Sequence, residues 1–427
     1  MLIEFNFRNF KSYRERASLQ LTAARCRKHS FHITEIGGEK FLPCAVIFGA
    51  NASGKSNVYE AFVYMRRYVL NSFSYGGGDS EQAALRPTRL PFRFNEESRA
   101  LPTEFEVFFI DDSDSKSMTW QYGFALDDVR VVEEWLCCKS KSSSKFAPVF
   151  LRKYDDLQKS DNVDWFGIQR EEVKNSIQFA LSPETLIVSL GSKMQIPEFR
   201  RVVKWFAGSR TISFSAPVEN WFRSTMIPSG FEQDESVQRD LAKYLSTFDA
   251  SIQGFNVERT TSPDDPATVS LKIDSKHRTS SGDGYVLLPF AHESGGTQKM
   301  FSLYADIRGA LENGGVLFID ELSARLHPLL HLNILLSFLR PETNRKHAQL
   351  IVTTHDAALL EFDYLRSDEM WLAEKDSNEE STLFSFVEFK DIKKLRGKQN
   401  RLLMKNYLVG KLGGVPSLSP IDFGDLS

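Results

Sequence analysis

An α/β protein is what this sequence predicts, and three stretches carry the prediction. "LPCAVIFGANASGKS" runs an apolar strand through a glycine-rich bend into a helix. "GGVLFIDE" sets four β-forming residues ahead of two acids, and "AQLIVTTHD" ends another apolar run on a histidine. Short continuous apolar runs of this kind are the mark of strands buried on both faces.

At 427 residues the chain is long enough for two or three structural units. Its 41 % hydrophobic and 26 % charged residues are ordinary for a globular protein. No apolar run reaches the roughly 18 residues that cross a bilayer. The opening "MLIEFNFRNFKSY" lacks the basic start and apolar stretch of a signal peptide. Cys26, Cys44, Cys137 and Cys138 show no metal-ligand spacing, so a reducing cytoplasm and no membrane partner are expected. A net charge of −3 provides no global basic field. Lys390, Lys393, Lys394, Arg396, Lys398, Arg401 and Lys405 oppose only Asp391 near the C-terminus; they read first as a solvated helix face, second as a contact to phosphate backbone.

Taken in order, "LIEFNF" alternates, with Leu2, Glu4 and Asn6 on one face and Ile3, Phe5 and Phe7 on the other, and the chain turns at Lys11–Ser12 into a second strand. "LPCAVIFG" is a central strand. Val58, Ala61, Phe62, Met65 and Val69 then mark the apolar face of a helix starting at Ser56. "TEFEVFFIDD" and "SMTWQYGFALDD" read as two more strands. Residues 1–133 are expected to form a β-rich lobe carrying the bend, 134–248 a mainly helical insert, and 249–427 a second lobe that opens with three strands and then alternates strand and helix. The aromatics of the insert, Trp165, Trp205 and Trp221 among them, lack interleaved basic residues and read as the core of a docking lobe rather than a base-stacking surface.

Gly49-x-x-x-x-Gly54-Lys55-Ser56 has the spacing of a phosphate-binding loop, in the required place between strand and helix. Glycines let the backbone curl until successive N–H groups and a helix N-terminus point at phosphates. The run Gly49, Ala50, Asn51, Ala52, Ser53, Gly54, Lys55, Ser56 and Asn57 is expected to wrap the triphosphate of ATP, with Lys55 on the β- and γ-phosphates and Ser56 on Mg²⁺. Val316 to Ile319 deliver Asp320 to a strand tip as a second Mg²⁺ ligand, and Glu321 can deprotonate an attacking water. His355 is placed to sense the γ-phosphate, completing a catalytic set with Lys55 and Glu321. Ser294, Gly295 and Gly296 open another helix and form a second anion site. Two such sites in one chain suggest a head-to-tail dimer in which each copy covers the nucleotide held by the other. His327 and His331, four apart, could share a metal, but lack a third ligand and read as a loop histidine and a surface one.

The order of these motifs, with the long gap between Lys55 and Ser294, resembles the two-lobed heads of ABC-type ATPases of the SMC/RecF/OLD branch, and "FRNFKSY" resembles their first hairpin. In that resemblance Ser294–Gly296 is the signature contributed in trans. "SARLHP" is the loop that communicates between protomers, with His327 where Asp is usual. A glutamine linking Mg²⁺ to the adjacent lobe is expected too, with Gln82 and Gln121 as candidates. "ESGGTQKMFSLYADI", "DELSARLHPLL" and "AQLIVTTHDAALLE" are similar to the RloA/AbiLi-type AAA ATPases of bacterial abortive-infection loci. Relatives of the OLD kind continue into a Toprim nuclease domain, for which the stretch from His355 to Ser427 is too short. The resemblance therefore implies a separate effector, a nuclease, released or restrained by the ATPase when a phage-derived or nucleic-acid trigger is sensed. Two other classes stand beside that one: a RecF-like DNA-repair ATPase that clamps DNA, and a scaffold that binds nucleotide with little turnover. An intact Glu321 weighs against the scaffold.

Overall fold

The computed structural model describes all residues except 27, 76–85, 112–117, 142, 216–226, 262–268, 390–401 and 416–427. Gln82, Trp221 and most of the basic stretch before Lys405 lie outside the described residues.

The chain begins with β1 (Leu2–Arg8) and β2 (Ala17–Gln20), an antiparallel pair whose turn places Asn9 and Lys11 at positive φ. A small hairpin of β3 (Thr34–Ile36) and β4 (Glu39–Phe41) follows, then β5 (Cys44–Phe48), every residue of which is buried. The bend leads into α1 (Lys55–Asn71), one residue earlier than its apolar spacing suggested. A short α2 (Glu96–Ala100) precedes five strands: β6 (Thr103–Asp111), β7 (Met118–Leu126), β8 (Val131–Lys139), β9 (Ala147–Asp155) and β10 (Ser160–Trp165). Next come α3 (Glu171–Ala180), α4 (Ile187–Lys193), α5 (Pro197–Gly208), β11 (Arg210–Ser213) and α6 (Glu235–Ser246). Strands β12 (Ile252–Thr261), β13 (Val269–Arg278) and β14 (Tyr285–Pro289) make a separate antiparallel sheet. The last third runs α7 (Gly295–Asn313), β15 (Val316–Asp320), α8 (Pro328–Leu339), β16 (Gln349–Thr353), β17 (Met370–Lys375), β18 (Ser381–Ser385) and α9 (Leu403–Leu408).

Two large sheets organise the molecule. One is antiparallel, in the order β10-β9-β8-β7-β6-β1-β2. The other, β11-β15-β16-β5-β17-β18, is parallel except for its last pair. Helix α1 lies between them: Val58, Phe62 and Met65 share one core with Phe5, Phe105 and Phe124 of the antiparallel sheet and with Ala45, Ile47 and Phe318 of the parallel one. The other face of the parallel sheet, Cys44, Val46, Phe48, Leu317 and Ile319, packs on Phe301, Leu303, Leu335 and Phe338 of α7 and α8. The strands alternate between two cores, which is why their sequences read as unbroken apolar runs.

The first part of the stretch expected as a mainly helical insert carries strands instead: β8, β9 and β10 extend the antiparallel sheet, and the helices begin at Glu171. Two inward-facing charges hide the strand pattern. Glu134 is fully buried, accepts the amides of Ile187 (2.7 Å) and Val188 (3.1 Å), and sits 3.8 Å from Arg152. Burial still pushes the Glu134 carboxyl up to about 6, against the pull of Arg152. β11 joins the parallel sheet beside β15, so the chain returns to the second lobe before Ser246. Strict alternation also fails at the start of β1. A bulge between Leu2 and Glu4 turns Leu2 into the core that holds Phe5 and Phe7, while Ile3 packs with Met1 and Ile110. Trp205 stacks on Phe109 at 4.7 Å and packs on Phe206, and Trp165 packs on Phe150, so these rings are interior packing. The four cysteines are free, and no described helix is long and apolar enough to cross a membrane.

Candidate nucleotide-binding and hydrolysis site

The bend between β5 and α1 is shaped by backbone that side chains would obstruct. Gly49 (φ 154°) and Gly54 (φ 102°) are at positive φ, as is Ala52. A Cβ on Gly49 would strike the carbonyl oxygen of Ala373; on Gly54 it would lie 2.5 Å from Ser381 Oγ and 3.0 Å from Ser12 Oγ. Both glycines are required by close approach as well as by conformation. The same neighbours brace the bend. Ser381 Oγ donates to the Ser53 carbonyl (2.9 Å) and shares a hydrogen bond with Ser12 Oγ (2.7 Å), and Asn57 Nδ2 donates to Ser12 Oγ (2.6 Å). The β1–β2 turn and the start of β18 thus hold the loop from two sides.

Lys55 folds back across the bend, donating to the carbonyls of Gly49 (2.8 Å) and Ala50 (2.6 Å). Burial lowers its amine to about 8, although the charges of Glu321 and Asp320 favour the protonated form. Because β15, β16 and β5 lie side by side and parallel, Asp320 and Glu321 end on the same edge of the sheet as the bend. Asp320 is buried; it accepts the Thr353 hydroxyl at 2.6 Å and the Ser213 hydroxyl at 3.3 Å. Glu321 has φ 55°, a left-handed conformation that costs a non-glycine residue about 1–3 kcal/mol and persists only when neighbours hold it. Thr353 Oγ1 accepts its amide at 2.8 Å, and Lys299 Nζ donates to its carbonyl at 3.1 Å. Its carboxylate meets His355 Nε2 at 3.4 Å. Burial and the nearby Lys55 lower the His355 imidazole, which Glu321 opposes. Lys55, at the end of the bend, and Asp320, Glu321 and His355, at the C-terminal ends of two parallel strands, therefore converge.

Ser294, Gly295 and Gly296 lie at the start of α7, beside the loop that follows Glu321. Ser294 caps α7, its Oγ accepting the Thr297 amide at 3.1 Å, and a Cβ on either glycine would meet Arg325 first. His327 caps α8 through Nδ1, which accepts the Leu329 amide. His331, expected at the surface, is fully buried with Nδ1 3.7 Å from Asp356 Oδ2. Among the described residues no three potential ligands cluster as a metal site. Gln121 lies on β7 and donates to Glu106 at 2.7 Å, inside the antiparallel sheet. Lys299, Thr353, Ser213, Ser12 and Ser381 touch these residues and were passed over by motif spacing; each is a common residue at an unremarkable position.

The bend fits a triphosphate: it has no room for Cβ atoms at Gly49 and Gly54, and Ser53 Oγ is buried there without a hydrogen-bond partner. Ser56 and Asp320 offer the hard oxygen donors that suit Mg²⁺.

A strand–bend–lysine, a capped Ser-Gly-Gly helix, an acidic strand and a histidine strand follow in this order around one parallel sheet, with an antiparallel sheet packed across α1, and make an α/β P-loop domain. The family model described as "AAA domain, putative AbiEii toxin, Type IV TA system" matches residues 44–361, and the chain belongs to that family. No curated protein matches it. Among solved structures, an SMC head bound to the C-winged helix domain of ScpA aligns over 90 % of this chain and 97 % of its own, at 16 % identity and a TM-score of 0.40, a likeness too loose to build on.

Proposed function

We propose that this protein binds ATP with Mg²⁺ and hydrolyses it at a site shared head-to-tail by two copies, and that this cycle is the switch of a cytoplasmic antiphage system of the abortive-infection type, controlling a separate effector, a nuclease. The observation that carries the ATPase reading is the convergence of Lys55, Asp320, Glu321 and His355. The family's description as a putative AbiEii toxin supports the defence setting.

Gly49 to Asn57 would hold the phosphates, with Lys55 exchanging its bonds to the Gly49 and Ala50 carbonyls for phosphate oxygens. Ser56 and Asp320 would hold Mg²⁺, which when bound neutralises charge on the β- and γ-phosphates. Glu321 takes a proton from water as its oxygen bonds to the γ-phosphorus; the bridging bond to the β-phosphate breaks and leaves ADP. His355, beside the Glu321 carboxylate, orients it and faces the phosphoryl group. Ser294 to Gly296 would close the site of the neighbour.

Mixing inactive chains tests the shared site. A Lys55→Ala chain lacks the lysine, and a Ser294→Arg chain lacks the covering turn, but their heterodimer keeps one intact site. Equal mixing should recover turnover above that of either variant alone, up to a ceiling of about a quarter of the parental rate, since half the dimers are mixed and each has one working site. No recovery above the separate variants would contradict a shared site. Parental protein that releases no phosphate from ATP under any mixing would contradict the enzyme.

A further inference from the structure

The Lys299 ammonium is buried in α7, five residues after Ser294, among backbone oxygens. It donates to the carbonyls of Glu321 (3.1 Å), Leu322 (2.7 Å) and Ala324 (2.8 Å). An ammonium has three N–H groups, and here all three are used on one short loop. The ring of Phe214 lies beside it, with its centroid 3.7 Å from Nζ. The loop so gathered begins and ends in left-handed backbone, at Glu321 (φ 55°) and Arg325 (φ 61°). Its far end touches the same helix again: Arg325 Cδ lies 3.4 Å from where a Gly295 Cβ would be. α7 therefore grips the loop at two points, one at the Ser294–Gly296 turn and one at the backbone of Glu321.

We propose that Lys299 is a positioning residue for hydrolysis, tying the Ser294–Gly296 turn of one copy to the Glu321 carboxylate of that same copy. This rests on the shared-site reading, in which that turn covers the nucleotide of the neighbour. Its consequence goes further. When the turn of one copy seats on the neighbour's nucleotide, α7 sets the loop that aims the general base of its own site. Occupancy of one site thereby prepares the other, and hydrolysis is cooperative in ATP.

Lys299→Met keeps the length and apolar stem and removes all three donors, whereas Lys299→Arg keeps the charge. Misaiming a base by about an ångström costs roughly 10- to 100-fold in rate. The expected result for Lys299→Met is a fall in kcat of about 10- to 100-fold with KM for ATP within about twofold, a Hill coefficient falling toward one, and partial rescue by Arg. Hydrogen exchange at the amides of 322–326, read by mass spectrometry without nucleotide, should be about tenfold or more faster in the Met variant. Turnover of Lys299→Met within about twofold of the parent, or unchanged exchange in the loop, overturns the proposal. So does equal loss of kcat and ATP affinity in both variants, which marks a structural prop alone. A parental protein that does not hydrolyse ATP sinks the shared-site reading instead, while loop exchange still decides the role of Lys299. Should Lys299→Met fail to fold, Phe214→Leu, which removes only the ring beneath the ammonium, carries the same readouts with an effect of about threefold.

Discussion

Thr353 donates its hydroxyl to Asp320 Oδ1 at 2.6 Å, across neighbouring parallel strands, and the same oxygen accepts the amide of Glu321 at 2.8 Å. One hydroxyl therefore fixes the rotamer of Asp320, the proposed Mg²⁺ ligand, and the left-handed backbone of Glu321, the proposed base. Position and strain are set together, on the rigid tips of β15 and β16.

Replacing Thr353 with Val keeps the shape and deletes that oxygen. The Glu321 amide and one Asp320 oxygen then lose a partner, which costs about 1–3 kcal/mol of stability. Chemical denaturation should show the loss, and steady-state turnover should fall further than stability alone accounts for. Unchanged turnover in a folded Thr353→Val protein would mean that the hydroxyl does not organise the two acids.

Lys55→Ala should weaken ATP binding by about 2–5 kcal/mol, thirtyfold or more, because a charge within the phosphate cradle is lost. The parental protein has a pH signature too. Burial lowers its Lys55 amine to about 8, so the charged form is favoured below that pH and the neutral form above it. Bound phosphates favour the charged form, so affinity should decline from about pH 8 to about pH 9 and binding there should take up protons. Calorimetry in buffers of different ionisation enthalpy measures both, and the pH dependence should vanish in Lys55→Ala.

His331 is fully buried, with neither ring nitrogen in a hydrogen bond. Burial holds its imidazole below the ordinary value, the charge of Lys299 adding to this and Asp356 opposing it. The unfolded chain therefore binds this proton more readily than the folded one. Its contribution to stability is complete above about pH 6.5 and is lost as the pH falls through the folded value. Thermal melts between about pH 7.5 and 5.5 should drop less steeply for His331→Phe than for the parent. An identical slope would remove His331 from the account.

The bend at Gly49–Asn57 and the acids at Asp320 and Glu321 were legible because glycine spacing and a run of β-formers each leave little else for the chain to do. The convergence of His355 on Glu321 followed from motif order. What escaped reading is polar chemistry turned inward. Glu134 and Arg152 face each other inside a sheet and break the alternation that announces strands. Lys299 looks like any helix lysine until three carbonyls appear around it. His331 sits one turn past an exposed histidine and yet is fully enclosed. The bulge at Ile3, which turns Leu2 inward, leaves no trace in composition.

Glu321→Gln is the most direct test of the central claim, that this carboxylate deprotonates the attacking water in a site closed by a second copy. The amide keeps the shape and removes the base. ATP should bind with near-parental affinity while phosphate release falls by about a hundredfold or more, and the protein should accumulate as an ATP-loaded dimer in light scattering. Phosphate release at the parental rate, or an ATP-loaded monomer, would contradict it.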